Sequence, residues 1–223
     1  MPNCSLRVVS SHVLPVNSVR NLGIFLYSDT SMHTQTVGTC FGTLRMLRMI
    51  RHSVPSSVFR TLVSSLVLSR LDFDNAILFG LPDILLNRYQ RVINTAARLI
   101  FGAARGDHIT PLLMQLHWLR IAERIRFKVA CLTWRCLNNS GPVYLAQDLH
   151  RASSSNTRQG LRSGSSANLI PPRTRNVTHG DRAWPVAAAT VWNELPSSLK
   201  SETDYLVFRR KVKSHVWSSS FPL

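Results

Sequence analysis

The stretch from Ser69 to Asn138 constrains this chain most. It carries two apolar seams at helical spacing, divided by segments that a helix does not cross. Leu85, Tyr89, Val92, Ala96 and Leu99 form the first seam. Ile121, Ile125, Val129, Leu132 and Cys136 form the second. Gly80-Leu81-Pro82 and the run from Gly102 to Pro111 punctuate the pattern. A polar stripe accompanies each seam: Asn87, Arg91, Asn94 and Arg98 on the first, and Arg120, Arg124, Lys128 and Arg135 on the second. Such helices bury one side and turn a basic side outward.

The flanking segments extend this reading. Leu6–Val9 and His12–Leu14 read as short strands, and Val19–Tyr27 as one strand with Gly23 inside it, at a bulge or a close backbone approach. Two or three strands do not make a stable sheet alone, so the chain is expected to begin partway through a larger sheet. Ser31–His52 reads as a helix on Val37, Phe41, Leu44 and Leu47. Pro55 opens a second helix, apolar on nearly all sides from Val58 to Leu78, which is expected to be central. Asp83 and Thr110 are the expected caps of the next two helices, with Pro111 in a first turn, and a further helix runs to about Asn138.

Beyond Arg151 the composition shifts to Ser, Arg, Asn and Gly, with no acidic residue between Asp148 and Asp181. That segment reads as a basic, flexible connector. Helices return over Val186–Trp192 and Asp204–Trp217, the latter holding Arg209, Arg210, Lys211 and Lys213. The expected fold is therefore mainly α. It is a helical bundle with a short N-terminal β element and a flexible basic connector before C-terminal helices. The expected divisions are residues 1–28, 29–150, 151–180 and 181–223.

Charge narrows the partners. Lys and Arg number 27 against 11 Asp and Glu, a formal charge of +16, and most of the cations are arginine. Arginine's planar fork suits phosphate. Nucleic acid is the leading partner on this ground, ahead of an anionic membrane surface. No apolar run reaches the roughly twenty residues of a membrane span, and the N-terminus does not read as a signal peptide. Cys4, Cys40, Cys131 and Cys136 form no CxxC pair and complete no zinc set, so they read as reduced, mostly buried thiols of an intracellular protein, in nucleus or cytoplasm.

Catalytic chemistry finds little support. Asp72 and Asp74 form a DxD, but residues two apart on a helix point about 200° from each other and cannot share one metal. Capping and surface charge are the plainer roles. The remaining carboxylates are scattered, and no Walker loop or GxSxG occurs. His108 and His117 lack a nucleophile in a suitable context, and His117, beside Trp118, reads as a packed residue. No catalytic residue, metal site or cofactor is expected. Trp118, Trp134, Trp184 and Trp192 could stack on bases, but their apolar periodicity assigns them to the core. Four like charges along one helix face repel by a few tenths of a kcal/mol per neighbouring pair, a cost that a facing anion offsets. Arg120, Arg124, Lys128 and Arg135, then Arg91 and Arg98, are the expected phosphate contacts.

Eight blocks in order resemble the C-terminal part of the reverse transcriptase of non-LTR (LINE-type) retrotransposons, in the jockey-like and chicken-repeat-like group. They are VRNLGIFLYSD, SRLDFDNAILFGLP, RYQRVINTAARLI, DHITPLLMQLHWL, RIRFKVACLTWRCLN, GPVYLAQDL, GDRAWPVAAATVWNELP and FRRKVKSHVW. The resemblance spans Val19 to the C-terminus. It implies the end of a palm, then a thumb and a downstream helical extension that hold template–primer by its backbone. The catalytic aspartates of that family lie on a hairpin upstream of the matching blocks, and Asp72 and Asp74 do not correspond to them. The chain departs from the pattern at Arg120, where proline is usual, and at Asp74, where cysteine is common. The expectation is a non-catalytic fragment of an RNA-directed DNA polymerase, from a truncated or decayed copy, that binds RNA, DNA or their hybrid. The alternative is an inert or domesticated helical module that binds an acidic protein or nothing.

Overall fold

Helices dominate the computed structural model, which describes residues 6–14, 16, 18–21, 24–27, 34–73, 75–152, 167–174 and 180–221. The chain divides into two compact units, Met1–Leu71 and Asp72–Leu223.

The first unit opens on two antiparallel hairpins. β1 (Leu6–Val8) pairs with β2 (Ser11–Val13), and β3 (Ser18–Asn21) pairs with β4 (Ile24–Tyr27). Val19–Tyr27 is therefore not one strand. Val19 faces Leu26 across the antiparallel pair. Gly23 itself lies outside the described residues, as do Cys4 and Asp74. Helix α1 (Thr34–Ile50) buries Cys40, Leu44 and Leu47, one face at steps of four and three.

The expected central helix over Val58–Leu78 is interrupted and one-sided. Helix α2 (Ser56–Val63) passes into a π turn (Ser64–Leu68) and then helix α3 (Ser69–Phe73); a 3₁₀ turn (Asn75–Leu78) follows. Phe59, Val63, Val67 and Leu71 are buried at steps of four, while Val58, Leu66, Phe73 and Ile77 are exposed. Apolar residues on all sides permit a central helix, but part of its apolar surface stays exposed. Within the unit, the Arg51 guanidinium lies 5.1 Å from the Phe59 ring centroid, and the Arg70 Nη1 donates to Thr43 Oγ1 at 3.2 Å.

The second unit is built around helix α6 (Ile121–Leu137). Its buried residues include Ile121, Ile125, Val129, Ala130, Thr133 and Trp134, so it is covered on most sides. Helices α8 (Trp184–Glu194) and α10 (Tyr205–Ser220) and the 3₁₀ turn Asn75–Leu78 do most of this, with α4 (Asp83–Phe101) beside them. Arg120, at the N-cap of α6, makes no side-chain cap. α4 supplies one: Gln90 Oε1 accepts from Ile121 N at 2.8 Å while its Nε2 donates to Asn94 at 2.7 Å.

Two expected caps are corrected. Asp83 is the first helical residue of α4 rather than its cap, where its charge still suits the helix dipole. Helix α5 (Ile109–Leu116) starts after His108, so Thr110 lies inside it and its hydroxyl accepts from Arg120. Gly102 ends α4 with φ 67°, which a residue with a Cβ adopts poorly. Gly80, at φ 73°, is also crowded: an added Cβ would stand 2.8 Å from Arg182 Cγ.

The segment read as a connector is tied down in its middle. After helix α7 (Val143–Gln147), strand β5 (His150–Arg151) pairs with β6 (Leu169–Ile170). Asn193 clamps the Leu169 backbone from both sides at 2.9 Å, and Trp192 Nε1 donates to Ala167 O at 2.8 Å. Asn193 and Trp192 of α8 thus fix a segment whose composition alone suggested none of this. Residues 153–166 and 175–179 lie outside the described residues.

After α8 come helix α9 (Ser197–Lys200) and then α10, capped by Asp204, whose side chain accepts from Val207 N at 2.8 Å. Phe208 anchors α10 to α6. It is fully buried, stacked 5.6 Å from Trp134 and 6.0 Å from Trp192. Trp118, Trp134 and Trp192 are core residues, as their periodicity indicates, whereas Trp184, assigned to the core with them, is only half-buried and its Nε1 donates to Leu145 O at 3.0 Å.

Candidate nucleic-acid interface

A groove in the second unit gathers cations from two helices. α6 contributes Arg124, Phe127 and Lys128. α10 contributes Leu206, Arg209, Arg210 and Lys213. Asp72 and Asn75, with His117 and Leu119, complete a cavity of about 490 Å³. The α10 residues follow from helical geometry, since 206, 209, 210 and 213 share one side of a helix. Lys211 lies on another side, where it pairs with Glu202 at 2.6 Å.

Five cations thus meet one carboxylate. Asp72 is engaged by the Arg124 guanidinium through two oxygens, Nε donating to Oδ1 at 2.9 Å and Nη2 to Oδ2. The Arg124 side chain is 15% exposed in this pair and the Asp72 side chain 39%. Asn75 Nδ2 also donates to Asp72 Oδ1, at 3.2 Å. Among the described residues, no carboxylate forms an ion pair with Lys128, Arg209, Arg210 or Lys213. Arg209 and Lys213 stand four apart, Arg210 and Lys213 three apart, and Arg124 and Lys128 four apart. These spacings are mutually repulsive unless an anion intervenes.

The six cations expected to contact phosphate are dispersed by the structure. Arg124 and Lys128 reach the groove. Arg120 sits at the start of α6, its guanidinium donating to Thr110 at 3.3 Å and lying 5.4 Å from the Phe221 ring centroid. Arg135 donates to Ser140 O at 3.2 Å and lies 5.9 Å from the Tyr205 ring centroid. Arg91 is exposed on α4. Arg98, also on α4, donates to Asp107 O at 3.0 Å, and its Nε is buried without a partner among the described residues. Arg209, Arg210, Lys213, Asn75 and His117 were not singled out as contacts. The spacing on α10 was legible; that its basic side would meet that of α6, some eighty residues earlier, was not.

His117 is not packed as its neighbour Trp118 suggested. It takes the left-handed conformation at the end of α5, φ 53°, which turns its exposed ring to within 5.8 Å of Trp217.

Desolvation dominates the thiols. Burial pushes the Cys131 thiol up to about 11 despite the nearby cations Arg209 and Lys128, and Cys40 likewise reaches about 11. Both are free and buried, as is Cys136. Among the described residues, no three His, Cys, Asp or Glu side chains gather as metal ligands. No described helix is long and apolar enough to cross a membrane. No protein-family model, no curated protein and no solved structure matches this chain.

Proposed function

We propose that this chain is the thumb-like and downstream helical part of a non-LTR retrotransposon reverse transcriptase, and that it holds nucleic acid by the phosphate backbone without performing phosphoryl transfer itself. The ordered sequence blocks support the family. The groove carries the binding reading: four cations without a carboxylate partner among the described residues, on two helices that face one cavity. Asp72 is engaged by Arg124 and Asn75, which favours an organising role over metal binding.

Titration of the chain against a short RNA–DNA hybrid across a salt series tests this. Four phosphate contacts give a slope of log affinity against log salt near −3.6, at about 0.9 per contact. Changing Lys128, Arg209 and Lys213 together to Glu should remove about three-quarters of that slope. An unchanged slope with retained helicity would sink the assignment.

A second reading draws on Leu119, Phe127 and Leu206, the apolar walls of the same groove. They suit an acidic amphipathic protein segment. Stronger binding of a Glu- and Leu-rich peptide than of the hybrid at physiological salt would favour it.

A further inference from the structure

The cations of the groove account for phosphates, but they leave its floor unexplained. Lys128, Arg209, Arg210 and Lys213 are exposed, so they stand at the rim. Phe127 lines the same cavity and is half-buried, so it lies deeper. It does not belong to the buried seam of α6, which includes Ile121, Ile125 and Val129. It stands about 200° around the helix axis from Ile125, beside Arg124, on the side that carries charge. Among the described residues, no other ring lies against it. His117 brings a second ring to the cavity. It is exposed and lies 5.8 Å from Trp217, which in turn lies 4.6 Å from Phe221.

On the backbone-binding reading above, we infer that the groove takes a single strand of nucleic acid, its phosphates on the rim cations and an unpaired base stacked on Phe127, with His117 as a second ring. Single strands are held by this combination of a positive groove and aromatic rings. A paired strand has no use for the floor. In a duplex the base faces lie against one another, and a protein meets only the backbone and the base edges. A cavity of about 490 Å³ is also the size of a small-molecule pocket. A duplex rests on its rim, while one strand can lower a base or two inside. Charge alone would rank the partners the other way, because a duplex carries its phosphates more densely than a single strand. A preference for the single strand therefore reports the rings. It should be tolerant of sequence, since every base has a face to stack.

The test uses the full chain and three ligands of one mixed sequence, each about sixteen nucleotides long. They are a DNA strand, the same sugar–phosphate strand without its bases, and the hybrid of the intact strand with complementary RNA. At physiological salt the intact strand should bind about five- to 150-fold more tightly than the abasic one, the worth of one stacked base. It should also bind more tightly than the hybrid. Phe127→Leu keeps an apolar floor without a ring. It should close most of the gap between the intact and abasic strands and leave the hybrid's affinity and the salt slopes unchanged. If the abasic strand binds like the intact one, phosphates alone are read and the inference is overturned. A hybrid that binds as tightly as the single strand also overturns it, while leaving backbone binding intact. Tighter binding of a Glu- and Leu-rich peptide than of the strand overturns it in favour of a protein segment. Binding of none of the three overturns the reading beneath. Should Phe127→Leu fail to fold, the abasic comparison on the unaltered chain decides alone.

Discussion

Helices α4 and α6 each set a row of cations beside an apolar seam, and the rows meet different neighbours. On α4, Arg91 is exposed and Arg98 is drawn back to the Asp107 carbonyl. On α6, the ends of the row are held by Thr110, Phe221, Ser140 and Tyr205, while its middle opens on a groove that α10 lines with three more cations. The sequence pattern is alike. What differs is whether a second helix brings like charge to the same place. A stripe alone is a solvated face. A stripe opposed by another is a site for an anion, because the repulsion between them is relieved only when something negative lies between.

The largest effect should come from detaching α10. Phe208 is fully buried against Trp134 and Trp192. Phe208→Ala should cost about 3–5 kcal/mol of stability by urea unfolding. Affinity for nucleic acid should fall with it to that of a chain in which the rows on α4 and α6 both stand unopposed. Undiminished affinity in a destabilised but folded variant would mean that α10 contributes no contact.

Asp72→Ala should separate stability from binding. Removing one partner of a half-buried pair leaves Arg124 without its carboxylate, at a cost of about 1–3 kcal/mol. The groove also gains one net positive charge. Thermal stability should fall while affinity for the hybrid rises and the salt slope steepens by about one. If both fall together, the pair serves the fold alone. A finer comparison sets Lys128→Glu against Arg91→Glu, both exposed on their helices. The first should flatten the slope by about one and the second should leave it unchanged. Equal effects would erase the distinction between the two rows.

Local pattern explains which of these features could be read in advance. The seams on α4 and α6, the Gly80 and Gly102 breaks and the burial of three tryptophans follow from spacing over a dozen residues, and the structure has each of them. The mainly α class follows from the same spacing. Pairings set by distant residues were not legible. Asn193 holding Leu169, Gln90 capping α6 and Arg124 turning to Asp72 are each single side chains whose partner lies 24 to 52 residues away. The interruption of the apolar helix by a π turn was equally hidden, since apolarity on all sides does not say which side will be covered. For the groove, half was readable as a stripe on α6, and half depended on the docking of α10 through Phe208.

That docking contact also carries a weak pH sensitivity. Cys131, on α6, is pushed from an ordinary 9.0 to about 11 by burial, and Tyr205 of α10, which lies against it, is raised for the same reason. A thiol raised in the folded state stays protonated there after it has ionised in the unfolded chain. Between pH 9 and 11 the native state therefore binds more protons than the unfolded one, and stability falls as pH rises through that window. Below pH 9 the thiol contributes no pH dependence. Cys131→Ala should reduce the stability lost between pH 8 and pH 10 by about 1 kcal/mol, read by urea unfolding at each pH. Cys40, in the first unit, is raised to the same extent, so part of the alkaline loss should persist in that variant and shrink again when Cys40→Ala is added, while Cys136, also raised by burial, keeps a remainder. If Cys131→Ala alone left the loss unchanged, the contact between α6 and α10 would not be what keeps that thiol protonated.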